Sequence, residues 1–113
     1  MRPAVEPKIR AGVVGAGHMG QYHILAFMEL WDVELVGIVD RDFERAQQLA
    51  ASYGTRAFAD HDELHGLVDV VTVAVPTDRH FGVARDLLEA GIHVLVEKPM
   101  TTTLEEAKEL FRI

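Results

Sequence analysis

The chain has 113 residues, 49% of them hydrophobic, a formal net charge of −7 and no cysteine. That length suits one domain with a modest core, and the missing cysteines exclude disulfides, thiolate catalysis and cysteine-held zinc. An acidic balance with no basic cluster excludes nucleic acid and anionic membrane as general partners.

In chain order, residues 1–7 read as an arm and 8–113 as the folded unit. No apolar run approaches the ~20 residues of a membrane span. The first residues carry charges and prolines but no apolar signal core, so the expected setting is soluble and cytoplasmic. Ile9–Val14 is the first strand. A helix follows from His18 to about Leu30, with Met19, Tyr22, His23, Ala26 and Leu30 at helical spacing. Val33–Val39 is a near-continuous apolar run, as in a strand covered on both faces. Asp42 is placed to cap a helix that Gly54 ends near Tyr53. Arg56–Ala59 is a short strand, and Asp60–Gly66 a short helical turn. Val68–Val75 is a valine-rich strand stopped by Pro76. The next helix spans about Arg79–Ala90, with Val83, Ala84, Leu87 and Leu88 inward, and Gly91 ends it. Ile92–Val96 is the fifth strand. Thr103 with Glu106 forms a capping box for a last helix.

Alternating strands and helices predict an α/β fold, a Rossmann-type doubly wound parallel sheet of order 3-2-1-4-5. A sixth strand, usual in this architecture, is missing from the pattern. Strand five is then a sheet edge, which is either covered, for instance by a second copy of the chain, or simply short and solvated.

Residues 12–20 read Gly-Val-Val-Gly-Ala-Gly-His-Met-Gly, and Asp40 stands 20 positions after the last glycine. Gly15, Gly17 and Gly20 fit G-x-G-x-x-G between a strand and a helix, the context in which the motif binds a dinucleotide. Gly15 permits the tight turn, Gly17 leaves the pyrophosphate free to approach, and Gly20 lets the helix pack on the strand. Unpaired N–H groups at the helix start then face the phosphates. Asp40 is the candidate partner of the adenosine ribose. Its charge favours NAD over NADP, although Arg41 beside it leaves NADP possible. His61-Asp-Glu-Leu-His65 has the i, i+4 histidines of a zinc motif, but the second position is Asp and no third ligand is evident. It reads as an exposed surface turn. His23 and His93 read as packing or surface residues.

The segments "GVVGAGHMGQYH", "VELVGIVDRD", "VDVVTVAVPTDRHFGVARDLLEAGIHVLVEKPM" and "TTTLEEAKEL" resemble the glucose–fructose oxidoreductase, inositol dehydrogenase and rhizopine-catabolism (Gfo/Idh/MocA) family. The resemblance runs from about Lys8 to the end. It covers the cofactor-binding third of such proteins, without their C-terminal α/β domain. The words around Glu97-Lys98-Pro99 are most similar to the branch acting on the 3-hydroxyl of UDP-N-acetylglucosamine. The resemblance implies an NAD(P)-dependent oxidoreductase that moves hydride between nicotinamide and a sugar, cyclitol or sugar-nucleotide hydroxyl, and often a homo-oligomer. It implies that Gly15, Ala16, Gly17, His18 and Met19 line the pyrophosphate, with Asp40 on the ribose and Arg41 along the adenine. Pro76, Thr77 and His80 would flank the nicotinamide, Glu97 would touch its ribose, and Lys98 would be catalytic. Relatives often carry Asn where Thr77 stands. Removing hydride from an alcohol carbon leaves a hydroxyl proton, and a desolvated lysine beside a positive ring can accept it. No metal is implied. Alone, the chain is expected to bind cofactor without turnover; the alternative is an NAD-binding sensor or interaction module.

Overall fold

Short, mostly apolar runs form strands, and most of the longer stretches between them form helices. The computed structural model describes residues 8–96. Its elements are β1 (Ile9–Val14), α1 (His18–Met28), β2 (Val33–Val39), α2 (Phe43–Tyr53), β3 (Arg56–Phe58), a 3-10 turn (His61–Leu64), β4 (Val70–Val73), α3 (Thr77–Glu89) and β5 (His93–Val96). All pairings are parallel, and the order is β3-β2-β1-β4-β5, as the alternation predicted. β5 has one neighbour among the described residues. The expected helix at Thr103 and Glu106, together with Glu97 and Lys98, lies outside the described residues.

Consecutive strand residues point to opposite faces, and this divides the core in two. Val13 and Ile38 pack with Ile24 of α1 and with Ala46 and Ala50 of α2. Val14, Val39, Val71 and Val73 pack on the other face with Leu64 of the turn and with Val83 and Leu87 of α3. α2 begins and ends as read: Asp42 Oδ1 accepts the Arg45 N–H at 3.2 Å, and Gly54 closes the helix in the left-handed region at φ 69°.

α1 departs from the sequence expectation. Gly20 and Ile24 are its buried residues, whereas Met19, Tyr22 and Leu30 are 45–56% exposed. The reason is physical. His18–Met28 contains no charged residue, so apolar periodicity does not select a face. Close approach selects it instead: a Cβ at Gly20 would collide with the Gly15 carbonyl oxygen. Among the described residues, no helix is long and apolar enough to cross a membrane.

Candidate functional site

The register aligns the strand ends. Val14 lies beside Val39 and Val73, Val39 beside Phe58, and Val73 beside Val96. The chain leaves β1, β2, β3 and β4 along one edge, and β1–β4 is where strand order reverses. A cleft of about 620 Å³ opens there, lined by Val14, Gly15, Gly17, His18, Met19, Val39, Asp40, Arg41, Arg45, Ala59, Asp60, His61, Ala74, Val75, Pro76 and Arg79. Such a volume is typical of a cofactor-sized pocket.

The glycine loop forms the cleft floor. Gly15 has φ 103°, and a Cβ there would meet the Ala74 carbonyl oxygen at 2.6 Å, so only glycine fits. Its N–H donates to the Val39 carbonyl at 2.7 Å. Gly17 is the α1 N-cap, with φ −78° and no side-chain cap, and a Cβ at Gly17 would meet nothing within 4 Å. Glycine at position 17 is therefore not required by the fold; it leaves backbone N–H groups and the positive helix end exposed to the cleft. The first turn of α1 carries no acid. This is a cradle for an anion.

Asp40 secures the cradle. Its Oδ2 accepts the Ala16 N–H at 2.7 Å and its Oδ1 accepts the Asp42 N–H at 2.8 Å. One carboxylate thus ties the glycine loop to the start of α2. A carboxylate has about four acceptor positions, and these two bonds leave room for a diol.

Other expected residues sit differently. Ala16 is fully buried, with its N–H on Asp40, so it lies behind the cleft and not in its lining. His80 is 2% exposed; its Nε2–H donates to the Val75 carbonyl at 2.6 Å, beneath the rim that Val75 and Pro76 form. Thr77 opens α3. The 61–65 turn also corrects the reading. His61 is 17% exposed, not a surface residue, because its Nε2 lies 3.0 Å from Asp86 Oδ2 on α3. His65 remains exposed.

Sequence reasoning missed Arg45, Asp60, His61 and Arg79 in the lining. Arg45 lies one turn into α2 after Asp42, and Arg79 one turn into α3 after Pro76, so both follow from the strand-end rule once helix starts are fixed. With Arg41, Arg45 and Arg79 put three arginines in a lining that also holds Asp40 and Asp60. The chain is acidic, yet its cleft suits a diphosphate.

At the opposite end of β1, Arg10 grips Asp69. Arg10 N–H donates to Oδ2 at 2.8 Å, and Arg10 Nη2 donates to Oδ1 at 3.0 Å. Hydrogen bonding to Arg10 holds the Asp69 carboxyl below its ordinary range. This pair fastens β1 to the β4 entry, away from the cleft.

The family model described as "Oxidoreductase family, NAD-binding Rossmann fold" matches residues 9–113. The chain belongs to the Gfo/Idh/MocA oxidoreductase family. It is similar to UDP-N-acetylglucosamine 3-dehydrogenase of Acidithiobacillus ferrooxidans, with 41% identity over 102 residues, which are 90% of this chain and 32% of that protein. The solved structure of that enzyme superposes with a TM-score of 0.88 at 40% identity, covering 93% of this chain and 34% of the other. The WlbA dehydrogenase of Bordetella pertussis, solved in complex with NADH and UDP-GlcNAcA, superposes with a TM-score of 0.86 at 36% identity, covering 93% and 33%. The chain thus spans about a third of the length of these relatives. It is an NAD-binding Rossmann domain of oxidoreductase type.

Proposed function

We propose that the cleft binds NAD along the strand ends and that the protein to which this domain belongs oxidises or reduces a hydroxyl of a sugar, cyclitol or sugar nucleotide. The observation that carries this reading is the bare α1 N-terminus at Gly17, opening on a cleft that arginines line. The diphosphate would lie on the N–H groups of Gly17, His18 and Met19, with Gly15 giving the turn and Ala16 anchored behind them. The adenosine ribose would donate to Asp40, and Arg41 would lie along the adenine. Pro76 and Thr77 would border the nicotinamide, with His80 supporting that rim through Val75. Glu97 would take the nicotinamide ribose.

When bound, the nicotinamide supplies the hydride acceptor or donor. Lys98 would hold the substrate hydroxyl and accept its proton as charge develops on oxygen. A sugar nucleotide is the favoured substrate class, because one of the similar proteins named above carries such a compound in its name and the other is solved in complex with one. Asp40 would repel a 2′-phosphate, so NADP should bind more weakly. Calorimetric titration with NAD and NADP, using Asp40→Ala as control, tests this reading. NAD is expected to bind more tightly than NADP and to lose affinity in the variant; equal heats for both proteins would remove Asp40 from the site.

We also propose that copies of the chain pair through α1. Met19, Tyr22, Leu25, Met28 and nearby Leu30 are each 45–56% exposed. α1 has no charged residue, whereas α2 and α3 both have charges. Two copies each carrying −7 repel least where charge is absent, and apolar patches of this kind mark interfaces. Leu25→Glu should shift the chain from dimer to monomer in analytical ultracentrifugation. A monomeric wild type would contradict the pairing.

A further inference from the structure

Among the described residues, one titratable pair at the edge of the cleft has no part in the reading above. His61 opens the 3-10 turn that follows β3, and it lines the cleft beside Asp60 and Arg45. Its Nε2 lies 3.0 Å from Asp86 Oδ2. A carboxylate can only accept, so Nε2 carries the proton and donates. Asp60 Oδ1 is 3.7 Å from Nδ1 and Asp62 Oδ1 is 3.6 Å from Nε2. Asp86 sits on α3 next to Leu87, whose side chain is fully buried. The bond therefore ties a four-residue turn to a helix packed against the sheet.

The sheet order places the ring. β3 and β2 end on one side of the glycine loop, and β4 ends on the other. Although its ring reaches Asp86 on α3, the helix that Pro76 and Arg79 open, His61 follows β3, which ends beside β2 on the side of Asp40 and Arg41. Given the dinucleotide reading of the cleft, on which this step rests, that side receives the adenosine. We propose that His61 contacts the adenosine half of the dinucleotide and that Asp86 is the positioning residue that fixes its ring. A flat imidazole held by one nitrogen offers its face to a purine, which stacks on aromatic rings. Without Asp86 the ring loses the hydrogen bond that fixes it to α3.

The test uses amide chemical-shift titration of the 113-residue chain at millimolar ligand. NAD is compared with adenosine monophosphate and with nicotinamide mononucleotide, each carrying one half of it. His61→Ala should weaken NAD and adenosine monophosphate alike, about five- to tenfold, and leave nicotinamide mononucleotide unchanged. Asp86→Ala should follow in the same pattern with a smaller loss. Asp86→Asn, which keeps an acceptor for Nε2–H, should stay within about twofold of wild type and guards against a folding defect in the alanine variant. Equal affinities in all variants, or a loss shared by nicotinamide mononucleotide, would overturn the proposal while the cleft reading stands. Failure of the wild type to bind NAD would overturn both.

Discussion

Two helix starts in this domain face the same cleft and are built in opposite ways. At α2, Asp42 caps the first turn through the Arg45 N–H, and Glu44 adds an acid beside it. At α1, Gly17 offers no side chain and the first turn has no acid. A helix start left without internal partners loses stability unless something outside satisfies it. α2 is finished for folding; α1 is left without a side-chain cap, which is the opening the proposed anion site uses. The nearby Asp40 belongs to both, since its two oxygens bond the glycine loop and the α2 entry.

Substitutions can separate these roles. The largest expected effect is at Gly20, where a Cβ meets the backbone carbonyl of Gly15. Gly20→Ala should destabilise the apo domain by about 1–3 kcal/mol, read by urea unfolding, and should distort the loop enough to reduce NAD binding. Gly17→Val should do the reverse. Nothing within 4 Å opposes a Cβ there, so apo stability should change little, whereas NAD affinity should fall at least about tenfold, or ~1.4 kcal/mol. If Gly17→Val binds NAD as well as wild type, the bare helix start is not the anion site.

Asp42→Ala removes a cap of about 1 kcal/mol. It should lower stability without changing NAD affinity beyond about twofold, because the proposed anion contacts lie on α1. A matching loss of NAD affinity would show that the two helix starts are not independent. The smallest effect lies farthest from the cleft. Hydrogen bonding from Arg10 lowers the carboxyl pKa of Asp69, so this pair contributes stability at neutral pH and loses it as pH falls through the acid range and Asp69 becomes protonated. The Asp69 side chain is 44% exposed, so solvent screens the pair; Asp69→Asn should flatten the acid limb of the stability profile only slightly, and leave NAD binding at neutral pH unchanged.

Much of this was legible because local chemistry and global fold agree. Strand order, the Asp42 cap and the Gly54 stop each follow from residue type at a turn. The position of Gly15 follows from a turn that only glycine can make. The face of α1 was not legible, because Met19, Tyr22, Leu25 and Met28 spread apolar surface around the helix and only the contact of Gly20 with Gly15 orients it. Within the turn at 61–65, where Asp62, Glu63 and His65 are exposed as read, His61 was misread as exposed for a related reason. Its partner Asp86 lies 25 residues away on α3, and no local pattern announces that pairing. The family resemblance assigned Ala16 to the pyrophosphate, yet its N–H turns to Asp40, a contact between two strand ends that spacing alone does not reveal.

Backbone amide shifts of the ¹⁵N-labelled chain during NAD titration give the most direct test of the α1 start as the phosphate site. The largest saturable changes should fall on Gly17, His18 and Met19, with smaller ones at Arg41 and Arg45, and none at the Arg10–Asp69 end. Saturable binding that leaves the Gly17–Met19 amides unmoved would contradict the account.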